Sequence, residues 1–254
     1  MSRLFAEPPV LCGHRGCGKG VVGGERENTL GSFRAAVDAG LGWVEVDARF
    51  TADDVLVARH DPAVEDGRFV ADLRAEETDA LGLMRVSDLL EALPAEIGVD
   101  IDVKTSLEDA LRPRDATTAA LVARLVAAER GRRPLLVTSF DPAALLIVRE
   151  RAPGVPVGLL TWMRFPLRKA IASAVHLGAD VVAPHVGSFP LGPHAARAGI
   201  EHDGAHAVRV AHQAGLQVVA WCPQPDEEDA FAEAGVDCLV VDGAPAALAR
   251  RAGG

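Results

Sequence analysis

The chain has 254 residues, 49% of them hydrophobic, enough for one large core or two small ones. Lys and Arg number 26 against 36 Asp and Glu, a net charge of −10 that opposes a nucleic-acid partner and makes any phosphate site depend on a local cationic cluster. Four cysteines (Cys12, Cys17, Cys222, Cys238) lack Cys-x-x-Cys spacing, no signal-type apolar core opens the chain and no apolar run reaches 18 residues, so a reduced, soluble, cytoplasmic protein is expected.

In chain order, an apolar run at 10–13 reads as the first strand and leads into His14-Arg15-Gly16. Glu27-Asn28-Thr29 precedes a helix at 30–39. A strand at 43–48 carries Glu45 and Asp47, and a segment at 55–59, hairpinned onto it, leads to His60-Asp61. A helix at 86–92 and a strand at 98–103 follow, the strand carrying Asp102 with Lys104 just beyond. Helices at 116–129, 142–151, 166–177, 204–214, 227–234 and 245–251 then alternate with strands at 135–138, 156–160, 180–183, 217–221 and 237–241. Asp141-Pro142 has the form of an N-cap followed by proline at the first helical position. Gly40, Gly178, Gly215 and Gly235 stand just past helix ends, where a left-handed cap favours glycine.

Strands apolar on both faces and separated by helices imply a parallel sheet covered on both sides. With 55–59 counted as an extension of the second strand, there are eight β/α units. That number fits a single-domain α/β TIM (β/α)8 barrel over residues 1–254, with a core from about 9 to 250. Such barrels carry their sites at the C-terminal ends of the strands, where His14, Glu45, Asp47, His60, Asp102 and Lys104 fall.

Glu45 and Asp47, two apart on a strand, point to one side and repel unless a cation lies between them. Oxygen-only donors suit a hard divalent ion, and Asp102 can supply a third carboxylate. Salt bridges from Glu45 and Asp47 to Arg49 or Arg59 are the plainer alternative. Arg15 offers a planar fork for a phosphate and Lys104 a point charge. Three carboxylates, a divalent ion, Arg15 and Lys104 leave one positive charge, which a phosphodiester cancels. His14 and His60 can exchange protons near neutral pH. Asp61 is expected to orient its loop, and Asn28 either to reach a phosphate or metal ligand or to cap the first helix. Trp221 is expected to wall the pocket, and His185 to enter the same mouth.

His14-Arg15-Gly16, Glu27-Asn28-Thr29, Glu45-Val-Asp47, His60-Asp61 and Asp102-Val-Lys104 together resemble the glycerophosphodiester phosphodiesterase family. Ser139-Phe140, the segment from Gly215 to Trp221 and that from Gly235 to Pro245 extend the likeness over nearly the whole chain. The resemblance implies a TIM barrel, one divalent ion (Mg²⁺ or Ca²⁺), and hydrolysis of glycerophosphodiesters to glycerol 3-phosphate and an alcohol. It assigns Glu45, Asp47 and Asp102 to the metal, His14 and His60 to acid–base catalysis, and Arg15 and Lys104 to phosphate. Arg26 stands where the family usually has Pro, and Asp102 where it has Glu. The latter is shorter by about 1.5 Å, so a bridging water or a shifted ion is expected. A lysophospholipase D-like or cyclising lipid phosphodiesterase, and a non-catalytic phosphate-ester-binding barrel, are the alternatives. The apolar loops with Trp162, Met163, Phe165, Phe189 and Leu191 suggest an acyl chain or transient membrane-surface contact. No protein partner is expected.

Overall fold

Val-, Leu- and Ile-rich strands need apolar cover on both faces, and this chain provides it by alternating them with helices. The computed structural model describes residues 3–6, 8–191 and 203–244. After β1 (Val10–Gly13) come a small hairpin, β2 (Val21–Val22) and β3 (Glu25–Arg26), then α1 (Leu30–Asp38), β4 (Trp43–Phe50) and β5 (Leu56–Ala58). Next are α2 (Ala75–Ala80), α3 (Val86–Ala92), β6 (Gly98–Val103), α4 (Thr118–Glu129), β7 (Leu135–Ser139) and α5 (Pro142–Arg151). The described chain is completed by β8 (Val157–Thr161), α6 (Leu167–Leu177), β9 (Val181–Pro184), α7 (Gly204–Gln213), β10 (Gln217–Trp221), α8 (Glu228–Glu233) and β11 (Cys238–Val241). The helix expected at 245–251 lies outside the described residues.

Eight parallel strands run β1-β11-β10-β9-β8-β7-β6-β4, and β1 also pairs with β4, so the sheet closes into a TIM barrel. β5 is the expected extension, antiparallel to β4. Thr29, rather than Asn28, caps α1 by accepting from the Ser32 N–H, while Asp141 caps α5 with Pro142 in its first turn. Side chains of one parity pack outward beneath the helices, among them Val44, Val46, Ile101, Val137, Leu159, Val218 and Leu239 with Leu89, Val122, Leu145 and Val148. Each such burial contributes about 1.5–3 kcal/mol before conformational entropy is charged.

The other parity fills the barrel. Cys12, Trp43, Leu136, Val181, Ala183, Val219, Cys238 and Val240 form an interior cluster closed at the strand N-termini by Phe5, whose ring lies 5.1 Å from that of Trp43. A Cβ on Gly98 would lie 2.2 Å from the Trp43 ring, so only glycine lets this indole cross the floor of the barrel. Because the period is two, the inward parity continues up each strand to His14, Asp47, Lys104, Phe140, Trp162, Trp221 and Asp242. The site therefore grows out of the core.

Candidate active site

The upper barrel holds a cavity of about 440 Å³ lined by His14, Arg15, Glu45, His60, Asp102 and Lys104 on one side and by Phe140, Trp162 and Trp221 on another. The register explains the acidic side. Glu45 pairs with Asp100 and Asp47 with Asp102 on neighbouring strands, so four carboxylates occupy two adjacent rungs. One oxygen each from Glu45, Asp47 and Asp102 falls within a 4.8 Å cluster, the shorter Asp102 included. All three residues are buried. The alternative salt bridges to Arg49 or Arg59 do not form: Arg49 donates to the His60 carbonyl and to Ser106, and Arg59 pairs with Glu65.

Asp47 is the electrostatic centre. Lys104 Nζ lies 2.9 Å from its Oδ1 and also contacts Asp102 Oδ2, and Arg15 Nε lies 3.1 Å from Asp47 Oδ2. Burial favours the neutral acid, but these two cations outweigh it and hold the Asp47 carboxyl down at about 2. Glu45 is pushed up to about 7, first by burial and then by the charge of Asp47. Burial raises Asp102 too, with Lys104 opposing, and it raises Asp100 well above the carboxylate range, with Glu45 adding to it. Asp102 Oδ1 is buried without a hydrogen-bond partner. Crowded, desolvated carboxylates with one unmatched oxygen are a donor set that a hard cation fits.

The His14-Arg15-Gly16 turn is a backbone device. A Cβ on Gly13 would lie 2.1 Å from the Gly16 carbonyl oxygen, so the turn closes only over glycine. Arg15 takes the left-handed conformation (φ 51°), which aims its N–H at Glu45 Oε2, 2.9 Å away. Its guanidinium also meets Glu27 at 2.9 Å. Asn28, likewise left-handed (φ 56°), donates from Nδ2 to Asp47 Oδ2 at 2.8 Å. Of its expected roles, meeting a candidate metal ligand is thus the one realised.

Both histidines line the cavity, each with Nδ1 facing a carboxylate at 2.8 Å: Asp242 for His14 and Asp61 for His60. The consequences differ. Burial works against protonation of His14, yet the Asp242 hydrogen bond prevails and raises its pKa well above the usual histidine value. For His60 burial wins over Asp47 and Asp61, and the pKa falls. The part of Asp242 is the one that sequence reasoning missed. Its signal was present: it stands one residue past the last strand, on the inward parity.

Trp221 forms part of the wall as expected, edge-on to Phe140 at 5.7 Å, with its Nε1 buried and unpartnered. Trp162 stacks on Phe140 at 3.9 Å and is 64% exposed, and Met163 is 58% exposed. His185 packs edge-on against Trp221 at 4.4 Å and accepts from the Gly187 N–H, which places it behind the wall. The expectation fails for Phe189, which is buried against Phe231 because the short 3-10 turn Val186–Ser188 folds the chain inward. Leu191 and Phe165 are half-buried and pack onto the main core. Apolar residues open to solvent at this end include Trp162, Met163, Leu107 and Leu111, the last two 85% and 89% exposed. Among the described residues, no helix is long and apolar enough to cross a membrane.

Residues 14–244 match the model of the Glycerophosphoryl diester phosphodiesterase family. A Mycobacterium tuberculosis protein named "Probable glycerophosphodiester phosphodiesterase 2" is 28% identical over 232 residues, covering 85% of this chain and 81% of that protein. A crystal structure from Galdieria sulphuraria superposes with a TM-score of 0.79 at 22% identity, covering 97% of this chain and 98% of that one. The Oleispira antarctica phosphodiesterase solved with its product sn-glycerol-3-phosphate gives a TM-score of 0.76 at 20% identity, covering 96% and 97%.

Proposed function

The chain belongs to the glycerophosphoryl diester phosphodiesterase family, and from that premise we propose that it hydrolyses a glycerophosphodiester to glycerol 3-phosphate and an alcohol by proton exchange at His60 and His14. The observation that carries this reading is geometric: two imidazoles, each backed at Nδ1 by a carboxylate 2.8 Å away, line one cavity beside the acidic cluster, and their surroundings push their pKa values in opposite directions. A pair whose surroundings push it apart divides into base and acid. His60, held neutral, takes the proton of the attacking hydroxyl, that of water or of the glycerol carbon beside the phosphate. His14, held protonated, gives its Nε2 proton to the departing alkoxide as the phosphorus–oxygen bond breaks.

Glu45, Asp47 and Asp102 are the residues that would hold one divalent cation, Mg²⁺ or Ca²⁺. Such an ion would supply positive charge to the phosphate oxygens. Arg15 and Lys104 add the cationic donors of the chain itself, Asn28 keeps Asp47 oriented, and Trp221 walls the substrate pocket. A lysophospholipid would undergo the same chemistry, and the exposed Trp162 and Met163 beside the mouth favour that second substrate class.

The test is product identification with purified protein, glycerophosphocholine, and Mg²⁺, Ca²⁺ or a chelator. sn-Glycerol 3-phosphate and choline are expected only with metal. Asp102→Ala should lower metal-dependent turnover by at least about 100-fold. Metal binding without product would favour a phosphate-ester-binding barrel, and an unchanged Asp102→Ala variant would refute the ligand set.

A further inference from the structure

A second group of donors lies one step around the barrel from the carboxylates. His14, Cys222 and Asp242 each stand one residue past the end of adjacent strands: β1, β10 and β11, with β11 between the other two. His14 Nδ1 lies 2.8 Å from Asp242 Oδ1 and 3.7 Å from Cys222 Sγ, and all three donor atoms fall within 4.8 Å of one another. Backbone bonds fix the corner, since the Cys222 N–H donates to the Val240 carbonyl and the His14 N–H to that of Val241. Cys222 is held in the left-handed conformation at φ 59°. It is also the one cysteine of the four that is not buried.

We propose that His14 Nδ1, Cys222 Sγ and Asp242 form a binding site for a thiophilic divalent cation, Zn²⁺ as the type, whose occupation switches off His14. Three protein ligands of mixed S, N and O type with a fourth position open to solvent match zinc. Tetrahedral zinc with its usual bond lengths sets S···N near about 3.5 Å and N···O near about 3.3 Å. The observed 3.7 and 2.8 Å lie within about half an ångström of these values. Asp242, with its side chain 42% exposed, provides the entry. The two candidate sites differ in softness: the carboxylate group is all oxygen and suits Mg²⁺ or Ca²⁺, whereas thiolate with imidazole selects zinc.

Binding releases two protons to solvent, one from the thiol and one from the Nδ1–Asp242 contact, as Zn–S and Zn–N bonds form. The imidazole is then neutral, with its remaining proton fixed on Nε2. It can no longer be reprotonated at Nδ1 by way of Asp242, so the cationic acid is lost. This effect on turnover rests on the acid role given to His14 above, but the site itself stands on geometry alone.

The experiment separates the two. Co²⁺ added to the purified protein with Mg²⁺ present should give a near-ultraviolet thiolate-to-cobalt band, absent in Cys222→Ser and Cys222→Ala. Zn²⁺ should inhibit glycerophosphocholine turnover in saturating Mg²⁺, with the half-inhibiting concentration raised at least about tenfold in both variants. Absence of the Co²⁺ band overturns the site. Zn²⁺ inhibition unchanged in the variants moves the inhibition to the carboxylates and overturns the switch. A band without inhibition keeps the site and refutes the role assigned to His14.

Discussion

Asp242 and Asp61 stand one atom behind the imidazoles, and each sets how firmly one of them keeps its proton. In the proposed roles, His60 is a base only when neutral, so activity should rise as pH climbs through its lowered pKa. His14 is an acid only when protonated, so activity should fall as pH climbs through its raised pKa. The profile is a bell with a wide plateau. Asp242→Asn removes what holds the His14 proton, and its alkaline limb should move to lower pH while the acid limb stays. Asp61→Asn should shift the acid limb, also downwards, since Asp61 raises the His60 pKa. Rate–pH profiles of both variants check the assignment, and exchanged limbs would reverse acid and base. The residues themselves were legible from the chain: His14, His60 and Lys104 lie just past strand ends, and Glu45, Asp47 and Asp102 lie on the inward parity of β4 and β6. What could not be read was pairing between residues more than two hundred positions apart, as His14 and Asp242 are.

At the scale of elements, β6 shows why interior glycines are constrained. Its first residue, Gly98, leaves the space that the Trp43 ring fills, and Trp43 in turn meets Phe5. Gly98→Ala should lower stability by about 1–3 kcal/mol through overpacking, read as a lower urea midpoint at constant slope. The barrel strands were readable to within a residue or two, since an apolar run between turn signals marks a buried strand. The elements that escaped are those without such a period. α2, Ala-Glu-Glu-Thr-Asp-Ala, buries just Ala75 and Thr78 and is held largely by its ends, and β2 and β3 are two residues each. The segment with Phe189 was misplaced for the opposite reason: its apolar content was plain, but the turn that sends it inward leaves no mark in hydrophobicity.

Over the whole molecule the charge of −10 is unevenly placed. From Arg151 to Ala179 there is no acidic residue, while Arg164, Arg168 and Lys169 follow β8. Trp162 and Met163 stand exposed in that stretch, and Leu107 and Leu111 lie in the loop after β6 at the same end of the barrel. Exposed apolar groups beside cations suit an anionic lipid surface. Trp162→Ala combined with Leu111→Ser should therefore reduce turnover of a lysophospholipid in phosphatidylglycerol vesicles several-fold more than that of glycerophosphocholine. Equal losses would exclude lipid contact as the role of these side chains.

Lys104 has a consequence for the life of the chain before any metal arrives. Its ammonium bridges Asp47 and Asp102, and these same carboxylates raise its pKa, so it stays charged. A tethered counter-ion of this kind lets the barrel close around buried acids while ion-free. Folding would then not wait on the proposed ion, and a chelator is expected to remove that ion without unfolding the protein.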